Sequence, residues 1–268
     1  MIELIDNLNL DNNLKDKAKD LARKDKVNVL MCAKSCNEGN FDVLQGKDDL
    51  FILVVLIECM SKTLEKYKSL GIDEKVFYDT FDDIRIWCEN NSNKGIKNYN
   101  WIKNHIMCQL FKIGRLQFQF YVCNNDTLNF ELLPFEYGDN LIYIHIPQSE
   151  KLEYSECVKS LQEAIRFFNR YFPEYKYDFF FCESWLLYED NWLFMERSSN
   201  ILEFSTLFDV MYNVEDDSQA IERIFGKRRR LVSMYPEKTT LQKNAKSHLR
   251  NKGRLGLGIG VIEKQCFE

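Results

Sequence analysis

The chain has 268 residues, of which 45% are hydrophobic and 14% aromatic, and its formal net charge is −5. This composition excludes a disordered chain, and the length suffices for one large hydrophobic core or two small ones. The negative charge argues against a general attraction to nucleic acid or to an anionic membrane.

The N-terminal part of the chain has the hydrophobic spacing of helices. The predicted helices are 14–30, 50–70, 76–88 and 99–113. The longest apolar run lies in the second of them and is about half of the roughly 20 residues that a membrane span needs, so we expect a buried helix there. Gly114 follows the last helix as its expected C-terminal cap. We therefore predict a helical domain over 1–113.

At Gly114 the hydrophobic period changes from 3.6 to 2, which indicates strands. The predicted strands are 115–122, 128–135 and 139–146, joined by short turns as an antiparallel meander. In the first strand, Arg115, Gln117 and Gln119 alternate with apolar residues. We expect these polar side chains either to face solvent or to line a cleft between the two parts of the chain, where a substrate binds.

Helices and strands then alternate to the end of the chain. A helix that follows Pro147 is expected to end at Pro173, and an apolar strand follows at 177–183. Beyond it we predict helices at 185–195, 217–225 and 240–250, and strands at 200–208 and 257–262. The predicted fold class is therefore α+β, in which a helical domain (1–113) precedes a second domain (114–268) with a mixed, mainly antiparallel sheet and flanking helices.

Cysteine usage indicates the cellular compartment. The chain has nine cysteines, an odd number, without a C-x-x-C pair, and most lie in apolar segments. This pattern is typical of reduced, buried thiols in a cytoplasmic protein. Residues 1–6 are acidic and interrupted by charge, unlike a signal peptide. With only three histidines, none close to Cys32 or Cys36, a metal site is not expected.

Several separated motifs stand in the order found in one protein family. They are Gly114-Arg115-Leu116-Gln117-Phe118, His145-Ile146-Pro147, Cys182-Glu183-Ser184-Trp185-Leu186-Leu187, Ser199-Asn200-Ile201, Thr239-Thr240-Leu241-Gln242 and the run from Phe167 to Tyr175. With these motifs the chain resembles bacterial acyltransferase-domain proteins, which join a helical N-acyltransferase N-terminal domain to a GNAT-like C-terminal domain. The resemblance covers roughly 114–263, and for the N-terminal domain it depends mainly on Asp83-Ile84-Arg85-Ile86-Trp87.

The resemblance implies acyl-CoA-dependent N-acyl transfer. An amine of unknown identity, in a small molecule or peptide, attacks the thioester of acetyl-CoA or another short acyl-CoA directly. Such a reaction needs a base for the ammonium, a hydrogen-bond donor for the thioester oxygen and an acid for the leaving thiolate. It needs no metal, and neither nucleic acid nor a membrane is expected as a partner.

Three side chains are candidates for the proton transfers. His145 ends the strand 139–146, and imidazole titrates near neutral pH; the alternative is a structural core histidine. Glu183 ends the strand 177–183 among apolar residues, which raise a carboxyl pKa; the alternative is a solvent-facing glutamate. In the family a histidine often stands at this position. Tyr188 follows where related enzymes often place the acid, although 13 tyrosines make a chance occurrence common.

The resemblance also implies a cofactor site after the strand 139–146. Splayed strand ends would hold the pantetheine arm, whose amides would pair with backbone groups as an added strand does. The predicted cofactor-binding residues are Ile144, Ile146, Gln148, Ser149 and Lys151. The family's phosphate motif, Gln/Arg-x-x-Gly-x-Gly/Ala, is absent here. The glycine-rich segment 253–260 is expected to be a turn and a last strand instead.

Two functions from different classes follow. The first is the acyltransferase, with Arg115 and Gln117 binding the acceptor. The second is a non-catalytic module that keeps a GNAT-like fold for ligand binding or protein interaction. The absent phosphate motif favours the module, whereas His145 and Glu183 at strand ends favour the enzyme.

Overall fold

The computed structural model describes residues 1–148 and 150–267, and the predicted α+β class is confirmed. The helices are α1 Ile2–Asn7, α2 Asn12–Lys24, α3 Lys26–Asn37, α4 Asp49–Leu70, α5 Glu74–Phe81, α6 Asp83–Asn90, α7 Tyr99–Ile106, α8 Tyr154–Tyr171, α9 Asn191–Phe194, α10 Asn200–Ser205, α11 Ser218–Phe225 and α12 Thr240–Arg250. The strands are β1 Leu110–Ile113, β2 Leu116–Val122, β3 Asn140–His145, β4 Phe179–Ser184, β5 Asp209–Val214 and β6 Leu257–Glu263.

The strands form one mixed sheet in the order β1-β2-β3-β4-β6-β5. β3 and β4 are parallel, whereas β1–β2, β4–β6 and β5–β6 pair antiparallel. The chain divides into two compact units. The first contains 1–119, 146–150 and 169–172, and the second contains 120–145, 151–168 and 173–268.

Helix α4 is the centre of the first unit. Its N-terminus is capped by Asp48, whose side chain accepts hydrogen bonds from the backbone of Leu50 and Phe51, and it ends at Gly71 in the left-handed conformation. Its middle turns are buried on all sides, because α2, α3, α5 and α7 pack around it. None of the described helices is long and apolar enough to cross a lipid bilayer.

Three helix predictions in the first unit need correction. The segment 14–30 is broken at Asp25 into α2 and α3, and 76–88 is broken at Asp82 into α5 and α6. The helix predicted over 99–113 ends at Ile106, because the chain then enters the strand β1, which pairs with β2. Gly114, with a φ of 63°, lies in the two-residue turn of this hairpin and does not cap a helix.

Two strand predictions in the second unit are also wrong. Residues 128–135 contain a 3-10 turn, Phe130–Leu132, within an irregular segment, so there is no meander. The segment 200–208 begins as the helix α10, because the side chain of Ser199 accepts a hydrogen bond from the backbone of Ile201 and caps it. The strand in this part of the chain is β5, which begins after α10. The helix predicted over 185–195 is a 3-10 turn, Trp185–Leu187, followed by the short α9.

The last strand, β6, carries glycine at two alternate positions, Gly258 and Gly260, so that the first part of one of its faces has no side chains. The glycine-rich segment was correctly predicted to end in a strand. A Cβ atom added at Gly258 would lie 2.3 Å from the carbonyl oxygen of Leu187, and one added at Gly256 would lie 2.5 Å from the ring of Tyr188. The 3-10 turn and Tyr188 therefore pack directly on the backbone of β6.

Candidate active site

The candidate site lies at the ends of the parallel strands β3 and β4, in the second unit. Side chains alternate across a sheet, so Tyr143 and His145 of β3 share a face with Phe181 and Glu183 of β4. The register pairs Tyr143 with Phe181, and both strands continue past this pair. His145 and Glu183 thus lie on one face of neighbouring strand ends, each two residues beyond the pair of Tyr143 with Phe181. Both are partly exposed.

Tyr143 connects the two predicted residues, and sequence reasoning missed it. Its hydroxyl accepts a hydrogen bond from the backbone N–H of Glu183 (3.3 Å) and donates one to the backbone carbonyl of Glu183 (3.2 Å). Its ring stacks on the imidazole of His145, with centroids 4.5 Å apart and an interplanar angle of 20°. The alternation of β3 was the available signal, since it places Tyr143 on the face of His145.

The surroundings of Glu183 favour its protonated form. Burial raises the pKa of the Glu183 carboxyl above its usual value, and the negative charge of Asp216 adds to the effect. Asp216 itself is exposed and has a lowered pKa, because the side chain and the backbone N–H of Ser218 hydrogen-bond to it. A carboxyl with a raised pKa takes up a proton more readily near neutral pH.

Tyr188, the third candidate, directly follows the 3-10 turn Trp185–Leu187. It is buried, and its ring lies against Gly256. Burial raises the pKa of the Tyr188 hydroxyl, as does the negative charge of Asp190, whereas the charge of Arg254 lowers it. The described contacts of Tyr188 include neither Glu183 nor His145, and its role as an acid stays a prediction.

The segment after β3 holds the predicted cofactor-binding residues. Gln148 is exposed and accepts a hydrogen bond from Asn90 (3.4 Å), and Lys151 is exposed, with its Nζ 4.0 Å from Glu153. Ile144 is buried and Ile146 is partly exposed. Ser149 lies outside the described residues. The cofactor role of these residues stays a prediction.

Arg115 and Gln117 do not form the solvated strand face that their alternation indicates. Arg115 is only 6% exposed, and its guanidinium donates a hydrogen bond to the backbone carbonyl of Glu150 (2.9 Å). Lys112 forms an ion pair with the side chain of the same glutamate. Gln117 is 1% exposed and lies against the carboxyl of Asp83. Arg115 thus contributes to holding the segment after β3, and an acceptor-binding role for either residue stays a prediction.

Asp83 belongs to a buried polar cluster in the first unit. Its Oδ2 accepts hydrogen bonds from Trp101 Nε1 (2.7 Å) and His105 Nε2 (3.0 Å), and the other ring nitrogen of His105 faces the carbonyl oxygen of Trp101 (3.2 Å). Both ring nitrogens of His105 therefore lie within hydrogen-bond distance of oxygen atoms. Burial alone would raise the pKa of Asp83, but the hydrogen bond and charge of His105 lower it below its usual value.

Two other kinds of chemistry find no support among the described residues. No group of three or more histidine, cysteine, aspartate or glutamate side chains within 1–148 and 150–267 is suited to a metal ion. No disulfide joins any two of the described cysteines, most of which are buried. Cys182, next to Glu183, is buried, and its pKa is raised by burial and by that charge, so its thiol is a poor nucleophile.

Comparison with known proteins gives two family matches. Residues 110–262 match the family model of the GNAT-like C-terminal domain. Residues 2–108 match the model of the N-acyltransferase N-terminal domain. A search of curated proteins finds no significant match in sequence.

Solved structures show a similar fold. One is an acyltransferase in complex with decanoyl-CoA and teicoplanin, with a TM-score of 0.76 and 16% identity over 97% of this chain and 86% of that chain. Another is an acyltransferase mutant in complex with octanoyl-CoA, with a TM-score of 0.74 and 16% identity over the same shares. A third is an acyltransferase in complex with CoA and 10C-teicoplanin, with a TM-score of 0.69 and 18% identity over 84% of this chain and 68% of that chain. At these identities the similarity shows the fold alone.

Proposed function

We propose, from the premise that this chain belongs to the family with a GNAT-like C-terminal domain, that it transfers an acyl group from an acyl-CoA to an amine by direct attack. The match of 2–108 to an N-acyltransferase N-terminal domain supports this reaction class. The acyltransferases of similar fold, which were solved with CoA or acyl-CoAs, support the choice of thioester. Binding of these ligands by this chain is part of the proposal.

One observation carries the proposal: two residues suited to proton transfer, His145 and Glu183, lie on the same face at the ends of the neighbouring parallel strands β3 and β4. The register of β3 with β4 reaches Tyr143 and Phe181, and the hydroxyl of Tyr143 bonds to the N–H and carbonyl of Glu183 on β4. In this proposal it is therefore the backbone of β3 beyond Tyr143 that pairs with an extended ligand. A pantetheine arm is such a ligand, because its amides alternate along an extended chain. The raised pKa of Glu183 suits a base that works near neutral pH.

The reaction then takes the following course. Glu183 removes a proton from the acceptor ammonium, with His145 as the second candidate for this step. The free amine nitrogen attacks the thioester carbon, and a backbone N–H stabilises the oxyanion that forms. The C–S bond breaks as the amide forms, and the CoA thiolate takes a proton, for which Tyr188 is the candidate donor. The amide nitrogen gives up its second proton to water, from which the tyrosine is reprotonated.

The acyl chain and the acceptor are proposed from the acyltransferases of similar fold. Sequence reasoning favours a short acyl group, whereas those acyltransferases were solved with decanoyl-CoA and octanoyl-CoA. Two of them were also solved with teicoplanin or its 10C derivative, which points to a glycopeptide as one acceptor to test. Chain lengths from two to ten carbons therefore belong in the first assay.

Thermal shift of the full chain tests binding directly. A ligand that binds only the folded state raises the melting temperature with its concentration, since it adds RT ln(1 + [L]/Kd) to the stability. We expect a rise with at least one of acetyl-CoA, octanoyl-CoA and decanoyl-CoA, and release of free CoA thiol when teicoplanin or a simple amine is added. No shift with any thioester at millimolar concentration would contradict the proposal.

The second candidate is a non-catalytic GNAT-like binding module. The segment after β3 favours it, because that segment lacks the family's phosphate motif and carries Glu150 and Glu153, whose charges repel phosphate. In that case acyl-CoA or another ligand stabilises the chain, but no thiol is released with any acceptor. A Glu183→Gln variant would then bind the ligand as the wild type does.

A further inference from the structure

We propose that Tyr143 is a positioning residue, which fixes the peptide groups of Glu183 through its hydroxyl and the imidazole of His145 through its ring. The inference rests on the proposed function, because it treats Glu183 and His145 as the proton-transfer pair. It adds a residue that the site needs but that transfers no proton itself. Three observations support it: the hydrogen bonds of the hydroxyl, the packing of the ring and the environment of the Glu183 carboxylate.

The hydroxyl of Tyr143 makes hydrogen bonds to Glu183 of the kind that a neighbouring strand would make. β6 lies on one side of β4, with Ile259 opposite Glu183. On the other side, the register of β3 with β4 reaches Tyr143 and Phe181, before Glu183. The N–H and carbonyl of Glu183 bond to the single hydroxyl of Tyr143, which accepts from the first (3.3 Å) and donates to the second (3.2 Å). The backbone of β4 at Glu183 is therefore held by this hydroxyl.

The ring of Tyr143 is held on three sides. It stacks on His145 (4.5 Å) and meets Phe181 edge-on, with centroids 5.3 Å apart and an interplanar angle of 83°. Tyr121 meets it edge-on from β2, at 5.6 Å and 81°. Aromatic pairs at these distances and angles are favourable, so the ring cannot turn without losing several contacts. This packing orients the hydroxyl towards the backbone of Glu183, and the fixed ring provides a surface on which the imidazole of His145 stacks.

The carboxylate of Glu183 depends on this arrangement. Among the described residues, the titratable groups that interact with it include Tyr121, Tyr143, Cys182 and Asp216, none of which carries a positive charge, and His145 lies on the same face of β3. Desolvation is the main cause of its raised pKa. If the hydroxyl were removed, the backbone N–H and carbonyl of Glu183 would take water as their partner. Water at that point would hydrate the carboxylate and lower its pKa.

Tyr143→Phe tests the proposal, with Tyr175→Phe as a matched control. The hydroxyl of Tyr175 also lies within hydrogen-bond distance of two backbone groups, the carbonyls of Tyr121 and Leu141 (3.0 Å each). Both substitutions thus remove one hydroxyl that bonds to strand backbone in the same unit, and both keep the ring. Only the first removes a hydrogen bond to Glu183.

Two measurements separate positioning from a merely structural role. In the first, ¹³C NMR follows the titration of the Glu183 carboxyl in the full chain, a readout that needs no activity. We expect Tyr143→Phe to lower this pKa and Tyr175→Phe to leave it unchanged. In the second, Tyr143→Phe lowers kcat about 10- to 100-fold, as misplaced catalytic groups do, with the KM for acyl-CoA nearly unchanged and the acidic limb of the pH profile moved to lower pH.

The proposal is overturned if Glu183 titrates in Tyr143→Phe as it does in the wild type. An equal loss of melting temperature in the two variants, with unchanged titration, would make Tyr143 a structural brace only. If the wild type shows no acyl transfer and no thermal shift with acyl-CoA, the proposed function fails. The titration still decides in that case whether Tyr143 controls Glu183, so the two failures are distinguishable.

Discussion

The pair Asp83 and His105 and the pair Glu183 and His145 each bring a carboxylate and a histidine from neighbouring elements to one place, and the two pairs differ in their partners. Asp83 and His105 are buried in the first unit and hydrogen-bond to each other (3.0 Å), so that the pKa of Asp83 is lowered. Glu183 and His145 lie half-buried at strand ends in the second unit. The pKa of Glu183 is raised, by burial and by the negative charge of Asp216. A carboxylate near a histidine thus has a lowered pKa in the first unit and a raised pKa in the second.

The comparison shows why residue type alone does not identify a catalytic carboxylate. A carboxylate that already has a cationic partner and further donors gains little from a proton, so its function is to hold elements together. A carboxylate that is desolvated beside a like charge gains from taking up a proton. Of the two, Glu183 is therefore the candidate base, and Asp83 is a structural residue that joins α6 to α7.

The largest expected effect is that of Glu183→Gln, which keeps the shape of the side chain and removes its proton affinity. We expect turnover to fall about 10²- to 10⁴-fold, the usual range for loss of a general base. Wild-type activity should rise with pH as Glu183 loses its proton, at a higher pH than for an ordinary glutamate, because its pKa is raised. The variant should lack that limb. A pH–rate profile of both proteins measures this.

His145→Gln is the companion variant, with an expected loss that is comparable or smaller. Neither substitution should lower the melting temperature much, since both side chains are partly exposed. Full activity with an unchanged pH profile in both variants would mean that neither residue is the base. An ordered water would then be the better candidate.

The next effect is on stability and concerns the other pair. Asp83→Asn removes one partner of a buried ion pair, and such a change typically costs about 3–5 kcal/mol, because it leaves the remaining charge buried without a counterion. We expect the free energy of unfolding in urea to fall by this order. Activity per folded molecule should stay within about twofold at temperatures well below the melting point.

A double variant and a pH series make this prediction sharper. Asp83→Asn combined with His105→Gln should cost less than the sum of the two single changes, because neither buried charge then remains. The pKa of Asp83 is lower in the folded chain than its unfolded value of about 3.8–3.9, so the pair stabilises the wild type at neutral pH. That contribution should disappear as the pH falls below about 4 towards the folded pKa. Additive single effects would contradict a direct pairing.

The smallest expected effect is a shift of the pH profile by Asp216→Asn. Removing this exposed negative charge should lower the pKa of Glu183, so the acidic limb should move to lower pH by less than about one unit, since solvent screens the interaction. Glu215→Gln is the matched control, because that carboxylate is paired with Arg254. A limb that stays in place in Asp216→Asn would show that burial alone sets the proton affinity of Glu183.

The parts of the fold that sequence reasoning predicted correctly are those with strong local signals. The helix over 240–250 has an amphipathic pattern, and the side chain of Thr239 caps it, so its bounds were predicted correctly. The segments 99–113 and 200–208 were wrong, because short apolar runs fit a helix or a strand equally well. In the first case the pairing of β1 with β2 decides the outcome. In the second, the Ser199 cap begins the helix α10, and the strand β5 starts only after it.

The candidate site likewise contains residues that local sequence signals identified and residues that they did not. His145 and Glu183 could be proposed because each ends an apolar strand, which is visible in sequence. The burial of Gln117 could not be predicted in this way, because it depends on Asp83, which lies 34 positions earlier on another element. Tyr143 was missed because its role requires the hydroxyl to reach the backbone of Glu183 on the next strand. Such contacts depend on tertiary packing, which local patterns do not encode.

The glycines of β6 have a consequence for how this region can diverge among relatives. The main chain at Leu187 packs directly on Gly258. The distance of the 3-10 turn Trp185–Leu187 from the sheet is therefore set by contact between two backbones. The contact between the two main chains does not depend on the side chains of this segment, apart from that of Leu187, which also packs on Gly258 and Gly260. Replacement of Gly258 by any other residue would lift the segment, because a Cβ has no room there. Evolution can thus vary the chemistry presented beside the end of β4 while its geometry is inherited unchanged.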